Sequence, residues 1–448
     1  MKGPRPIGGF PEWLPDQRLV EQTLLDRLRA TFELHGFLPI ETRAVERLES
    51  LLKQGETDKE IYVLRRLQAA PDEDDTDLGL HYDLTVPFAR YVLERRGELV
   101  FPLRRYQIQK SWRGERPQEG RFREFCQADV DVVGLGSLAL HFDAEVPLVM
   151  LEALAPLPLP SIRLLVNNRK ILEGLYRAVG IQDVPRALRA VDKLDKLGER
   201  GVHEQLTGPL GLAEAQARAC LELARIHTED ASFADKVQQL GYRSDLLDQG
   251  LEELTVVMEA LGDLPRGSVA AALHVARGFD YYTGTVYESV LEGHEALGAV
   301  CSGGRYDDLA SAGGSVRHPG VGISLGVSRL LARLFGRGAL RATRTSPACV
   351  LVALPSEAAR PRCARVAAAL RRRGIASYVA AEPVKYGRQI RYAERLGIPF
   401  VWFPEGEQSG GDEVRDIRSG EQVAADPERW SPPAEDLRPR VTLDQAGA

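Results

Sequence analysis

Between Ser111 and Phe125 the chain reads SWRGERPQEGRFREF, with four arginines, three glutamates and no lysine in fifteen positions. Arginine offers a planar fork of donors that matches two oxygens of a phosphate or carboxylate, whereas lysine offers a point charge. A cluster built from arginine alone therefore points to bidentate recognition of an anion. Further along, the same stretch changes character, from Arg113, Arg121 and Arg123 to the amide of Gln127 and the carboxylate of Asp131. A ligand with a phosphate at one end and a cationic or polar group at the other fits that gradient. The competing reading is a solvated face, the common fate of one side of an antiparallel sheet.

Elements that alternate must carry these residues. From Arg105 to Arg113 the odd positions are Arg, Gln, Gln, Ser and Arg, with Tyr106, Ile108, Lys110 and Trp112 between them. From Cys126 to Val132 the even positions are Cys, Ala, Val and Val, and the odd ones include Gln127, Asp129 and Asp131. Two period-2 arms predict an antiparallel hairpin with a long loop and one polar face.

The wider chain of 448 residues is long enough for two or three domains. With 44% hydrophobic and 27% charged residues it has a globular composition. Its five cysteines are scattered and never form a CxxC pair, which argues against a disulfide framework or cysteine zinc site and for a reducing, cytosolic setting. The histidines show no metal-ligand spacing, and no apolar run reaches the ~18 residues of a membrane helix. The net charge of −6 does not advertise nucleic-acid binding, yet a local basic patch can supply phosphate contacts at any total charge. Composition alone favours a small-molecule enzyme.

Residues 16–36 predict an amphipathic helix stopped at Gly36, followed by a β-like run to residue 46. Residues 77–96 read as a strand entering a helix, and 139–154 as a helix before the proline-rich break at 154–161. Residues 161–262 predict a mostly helical insertion between a first core part, 1–160, and a second, 263–335. A basic linker, 336–346, precedes a β-α-β-α-β alternation over 347–448, which predicts a small α/β domain and ends in a proline-rich tail.

The stretch WRGERPQEGRFREFCQADVDVVG resembles motif 2 of the class II aminoacyl-tRNA synthetases, and GVGISLGVSRL resembles their motif 3. ARGFDYYTGTVYE, SGGRYDDL and LHYDLTVPFARY are similar to peptides of the histidyl-tRNA synthetase family, and GRQIRYAERLGIPF resembles its anticodon-binding domain. The five catalytic-part matches follow the family's order, and the resemblance covers nearly the whole chain.

That resemblance implies an α+β fold, with a six-stranded antiparallel active-site sheet flanked by helices, a helical insertion and a C-terminal α/β anticodon-binding domain. It implies a cytoplasmic homodimer, away from membranes, that joins L-histidine to tRNA(His) using ATP and Mg²⁺. Arg113 and Arg277 would flank the α-phosphate as the catalytic pair and also contact histidine. Glu115, Arg121 and Phe125 would hold adenosine, and Arg329 the γ-phosphate. Asp83, Leu84, Thr85, Gln127, Asp131, Tyr281, Tyr282 and Tyr306 would form the histidine pocket, and Arg116 and Gln118 would meet the tRNA acceptor end. No protein metal ligands are implied.

Each of these residues also has a plainer reading. The tyrosines could be ordinary strand aromatics, Arg277 could pair with Asp280, and Gly303, Gly304, Gly320 and Gly322 could be turn or bulge glycines. The basic run at 360–373 reads equally as a solvated helix face or a phosphate-contacting one. Two positions depart from the family: Arg43 stands where motif 1 has proline, and Ser328 where glutamate usually precedes the motif 3 arginine. The alternative function is a non-charging paralogue, either a regulatory subunit of ATP phosphoribosyltransferase or an enzyme with a non-tRNA acceptor. The regulatory paralogues generally lack the last domain and have eroded ATP arginines, whereas both are present here.

Overall fold

The computed structural model describes residues 5–52, 60–68, 77–118, 120–276, 281–308, 316–336, 338–404 and 411–443. The chain forms two compact units, one of residues 1–11 and 25–333, the other of residues 12–24 and 334–448. Helix α1, Pro15–Leu34, runs through the boundary. It ends as its sequence predicts: Gly36 takes φ +74°, and Phe37 N–H donates back to the Phe32 carbonyl.

The first unit is built on a nine-stranded sheet. Its strands are β1 (Leu38–Pro39), β2 (Leu103–Trp112), β3 (Glu124–Val133), β4 (Ile162–Asn168), β5 (His227–Thr228), β6 (Val269–Ala272), β7 (Thr285–Leu291), β8 (Cys301–Tyr306) and β9 (Gly320–Gly326). Their spatial order is β1-β2-β3-β9-β8-β7-β4-β6-β5. The six central strands from β2 to β4 pair antiparallel throughout. Parallel pairings add β1 at one edge and β6 at the other, and β5 closes the sheet beyond β6. The expected six-stranded antiparallel sheet is thus the centre of a larger mixed one.

Two helices position the site. Helix α2, Thr85–Arg95, starts where Asp83 Oδ1 accepts from Val86 N–H at 3.0 Å. Helix α3, Phe142–Leu154, packs on β3 and β9 with Val146, Val149, Met150 and Ala153 buried.

The expected insertion from residue 161 needs correction at its start. Residues 162–168 are strand β4, inside the antiparallel sheet, and helices begin only at Arg169. The last five residues of β4 are all buried, so it lacks the alternation that marks a half-exposed strand, and periodicity could not separate it from the helices that follow. Six helices then run from Arg169 to Ala260.

In the second unit, β11 (Val350–Val352), β12 (Ser377–Val379) and β13 (Phe400–Phe403) form a parallel core, with helices α10 (Arg360–Arg372) and α11 (Tyr386–Leu396) in the connections. An antiparallel hairpin, β14 (Glu413–Asp416) and β15 (Gln422–Ala424), extends the sheet. The expected linker is not a free connection. It contains a strand, β10 (Leu340–Ala342), which pairs antiparallel with β16 (Val441–Leu443) in the proline-rich tail. Arg373 holds that tail, donating to the carbonyls of Pro427, Arg429 and Trp430 and to Ser431 Oγ.

The basic run on α10 is largely engaged within its own unit. Arg360 pairs with Glu357, Arg362 with Asp412 and Arg372 with Glu428, while Arg371 donates to the Ser377 carbonyl. Arg371 and Arg372 stay exposed while so engaged, as the reading of a solvated helix face expects.

Candidate active site

The hairpin β2–β3 sets the site. Its register places Arg105 opposite Asp131, Gln107 opposite Asp129 and Gln109 opposite Gln127. All six are odd-numbered, so they share one face with Phe125. The other face is apolar, with Tyr106, Ala128, Val130 and Val132 buried. The polar face is not wet. Arg105, Gln107, Ser111, Gln127, Asp129 and Asp131 are all buried. Burying so many polar groups is costly unless they pair with one another or with a ligand.

Much of the pairing is internal. Arg105 Nη2 lies 2.8 Å from Asp131 Oδ2 and 4.0 Å from Asp129 Oδ2, with its guanidinium over the Phe88 ring. Asp131 Oδ1 accepts from the Tyr306 hydroxyl at 2.8 Å. Gln127 Nε2 donates to Ser324 Oγ at 2.8 Å. Four side-chain oxygens here stay unpartnered and buried: Asp83 Oδ2, Ser111 Oγ, Asp129 Oδ1 and Gln127 Oε1. Burial pushes Asp129 up to about 7 and Asp83 up to about 6, with nearby Asp131 raising both and Arg105 pulling both down. A pocket with three carboxylates pushed above their ordinary pKa and with spare acceptors suits a cationic, donor-rich ligand.

Aromatic rings border the pocket. Tyr281 and Tyr282 meet edge to face at 4.8 Å, and Tyr306 lies 6.2 Å from Tyr281. Thr85, the first residue of α2, is hydrogen-bonded to Tyr281, and the Leu84 carbonyl faces Arg105 Nη2 at 3.5 Å.

The glycines of β8 and β9 are in-register strand residues rather than turn or bulge glycines. Their missing side chains make the room. A Cβ on Gly322 would stand 2.1 Å from Asp131 Oδ1, and one on Gly320 2.3 Å from the Tyr306 ring. On Gly304 it would meet the Tyr282 ring at 3.0 Å. No real Cβ tolerates the first two distances, so both side chains can lie across the sheet only over glycine.

Beside the pocket, a cleft of about 570 Å³ is lined by Arg113, Glu115, Arg121, Phe125, Gln127 and Arg329, among others. Arg113 Nε donates to the Tyr82 carbonyl at 2.9 Å, and its guanidinium carbon sits 5.0 Å from the Phe125 ring centre. Glu115 lies between Arg121 at 3.3 Å and Arg113 at 3.9 Å. Arg329 donates to the carbonyls of Ala299 and Gly120. Arg123 instead pins the loop, its Nε donating to the Glu115 carbonyl. Gln118 bridges to Arg121 at the loop's turn, and Arg116 is exposed. Arg277 lies outside the described residues. Gln127 belongs to both cleft and pocket, so the arginine end and the carboxylate end meet along β3.

The geometry has its counterpart in known proteins. The model of the histidyl-tRNA synthetase family matches residues 9–330, and that of the anticodon binding domain residues 349–429. A histidine–tRNA ligase of Micrococcus luteus is 54% identical, with 98% of each chain covered. The chain belongs to the histidyl-tRNA synthetase family. A solved histidyl-tRNA synthetase from Nostoc sp. PCC 7120 superposes with a TM-score of 0.84 at 34% identity, covering 94% of this chain and 97% of that one. A Bacillus halodurans protein, described as an ATP phosphoribosyltransferase regulatory subunit/histidyl-tRNA synthetase, shares the fold at TM-score 0.71 and 22% identity, covering 87% and 96%.

The two departures from the family find partners within the chain. Ser328 Oγ accepts from Cys126 N–H at 2.9 Å, tying the start of motif 3's helix to β3. Arg43 pairs with Glu46 at 3.2 Å and Glu94 at 3.6 Å. Family motifs alone passed over Arg105 and Asp129. Both lay in plain sight as odd members of the alternation, the signal that places them beside Gln127 and Asp131.

Proposed function

We propose that this chain is a histidine–tRNA ligase, which activates L-histidine with ATP and transfers it to the 3′ end of tRNA(His). The observation that carries the reading is the continuity of one strand face, from the arginine-lined cleft at Phe125 to the carboxylate pocket at Asp131. It suits a reaction that joins an amino acid with a cationic side chain to a nucleotide phosphate.

In the first step a carboxylate oxygen of histidine attacks the α-phosphorus of ATP, the bond to the β-phosphate oxygen breaks, and pyrophosphate leaves. Two anions must approach, and negative charge gathers on the α-phosphate oxygens. Guanidinium groups held in place before reaction offset both costs without a protein base or nucleophile. Arg113, fixed through its Nε to the Tyr82 carbonyl, fits one side of that phosphate. Arg277 is assigned the other side on the family resemblance. Glu115, Arg121 and Phe125 would hold adenosine, and Arg329 the γ-phosphate, with Mg²⁺ entering as part of the ATP complex. Asp83 and Thr85, with Leu84 between them, would take the α-ammonium at the start of α2.

In the second step the terminal ribose hydroxyl of tRNA takes the histidyl group and AMP leaves. Arg116 and Gln118 would meet the acceptor end, and the unit matching the anticodon binding domain would read the other end of the tRNA. That unit also weighs against the regulatory paralogue. A cytoplasmic homodimer completes the reading. Purified protein should catalyse histidine-dependent exchange of pyrophosphate into ATP and charge tRNA(His) transcripts with labelled histidine. Equal exchange with another amino acid, or exchange without any charging, would overturn it.

A further inference from the structure

Resting on the reading of the arginine-lined cleft as the nucleotide site, we infer that the N-terminal segment 7–10 is a positioning element for adenosine. Through the Gly9 carbonyl it seats the loop that carries Glu115 and Arg121. Phe10 N–H donates to the Ile7 carbonyl at 3.2 Å, closing a β-turn. Gly9 stands at the third position of that turn with φ +85°, the left-handed value that a type II turn requires there. The turn aims the Gly9 carbonyl at the foot of β3, where it accepts from Arg123 N–H at 2.7 Å and from Glu124 N–H at 3.1 Å.

Those two bonds lie one step from the cleft. The Arg123 carbonyl accepts from Arg113 N–H at 2.9 Å, and Arg123 Nε donates to the Glu115 carbonyl at 3.1 Å. Glu115 in turn lies against Arg121 and Arg113. A second distant segment grips the other end of the loop. Gly114 N–H donates to the Glu60 carbonyl at 2.7 Å, and a Cβ on Gly114 would stand 3.3 Å from that oxygen. The two grips meet, with the Phe10 and Tyr62 rings 6.3 Å apart and edge to face. Loops with few buried apolar contacts open easily, so backbone ties at both ends decide where this one holds its charged side chains. The seat admits only glycine: a Cβ on Gly9 would stand 2.9 Å from Arg123 Cγ and 3.0 Å from Pro117 Cγ. A Cβ on Gly8, its neighbour, would meet nothing within 4 Å.

The test sets Gly9→Ala against Gly8→Ala in the full-length protein. ATP KM is measured by pyrophosphate exchange, histidine affinity by calorimetry, and seating of the loop by trypsin cleavage after Arg121 without ligands. Gly9→Ala should raise ATP KM about 5- to 30-fold, the ratio that left-handed strain on a residue with a Cβ corresponds to, with histidine affinity unchanged. Cleavage after Arg121 should become faster, and Gly8→Ala should match the unaltered protein in all three measurements. Equal ATP KM in the two variants overturns the inference. So does a parallel loss of ATP and histidine binding in Gly9→Ala, which a general destabilisation would give. If the unaltered protein shows no histidine-dependent exchange, the nucleotide reading falls, and the cleavage comparison alone decides whether Gly9 seats the loop.

Discussion

Arg105 meets Asp131 at 2.8 Å from the position directly opposite it on the neighbouring strand, and both side chains are buried. Three carboxylates, Asp83, Asp129 and Asp131, feel that guanidinium. Removing it would leave buried charge uncompensated, which costs about 3–5 kcal/mol. Arg105→Met should therefore destabilise the protein on that scale in urea unfolding, even though methionine fills much of the same volume. A variant as stable as the unaltered chain would show that the carboxylates shed their charge at little cost.

Asp129 makes a second prediction, for stability against pH. Its carboxyl titrates near 7 in the fold against an ordinary 3.8. Below about pH 4 it is protonated in both folded and unfolded chains and contributes nothing. As pH rises through that window the unfolded chain ionises first, so the folded state loses relative stability until about pH 7. Asp129→Asn, which never ionises, should match the unaltered protein near pH 4 and be more stable at pH 8. Thermal midpoints of both proteins across that range, without ligand, check it. Parallel pH profiles would mean that Asp129 is not strained by burial.

Much of this site could be read from residue spacing. The alternation through Arg105–Arg113 and Cys126–Val132 gave the hairpin, its polar face and the gradient from arginine to carboxylate. Whether the face was wet could not be read, because alternation reports which residues share a side, not what covers that side. The cover comes from distant segments, Thr42 and the start of α2 among them. Strand β4 hid for a related reason: burial of most of its length removed the period. The pairing of tail with linker joins residues about a hundred positions apart and has no local signal at all.

Gly322 and Asp131 are cross-strand partners, and a methyl group on the glycine would stand 2.1 Å from the carboxylate oxygen. In Gly322→Ala the Asp131 side chain must swing away, breaking its contacts with Tyr306 and Arg105. Histidine KM should rise at least tenfold while ATP KM, set by the arginine end of the cleft, changes little. If both constants stay at their original values, the pocket does not depend on the Asp131 position.

Arg373 supplies all the donors for its contacts with the four tail groups from Pro427 to Ser431. Arg373→Ala should loosen the tail locally while adenylate formation, performed in the other unit, continues unchanged. Limited trypsin digestion gives the readout: cleavage after Arg429 should become faster. Unaltered cleavage would assign tail attachment to the β10–β16 pairing and to Trp430, which packs edge-on against Phe400 and Trp402.

Helix α11 contrasts with α10. Its Arg388, Arg391 and Arg395 are exposed and recur at helical spacing, with Lys385 just before the helix. Together they give α11 an exposed cationic surface. If the second unit reads the anticodon end of tRNA, these arginines supply phosphate contacts, and each lost contact lowers the salt dependence of binding by about 0.7–0.9 in log–log slope. Replacing all three with alanine should reduce that slope by up to about 2–3 and raise the KM for tRNA. Histidine-dependent pyrophosphate exchange should be untouched, because no residue assigned to adenylation lies beyond Arg329. Charging and filter binding, measured across salt concentrations, separate the outcomes. A normal slope with normal charging would move the tRNA-reading surface off α11.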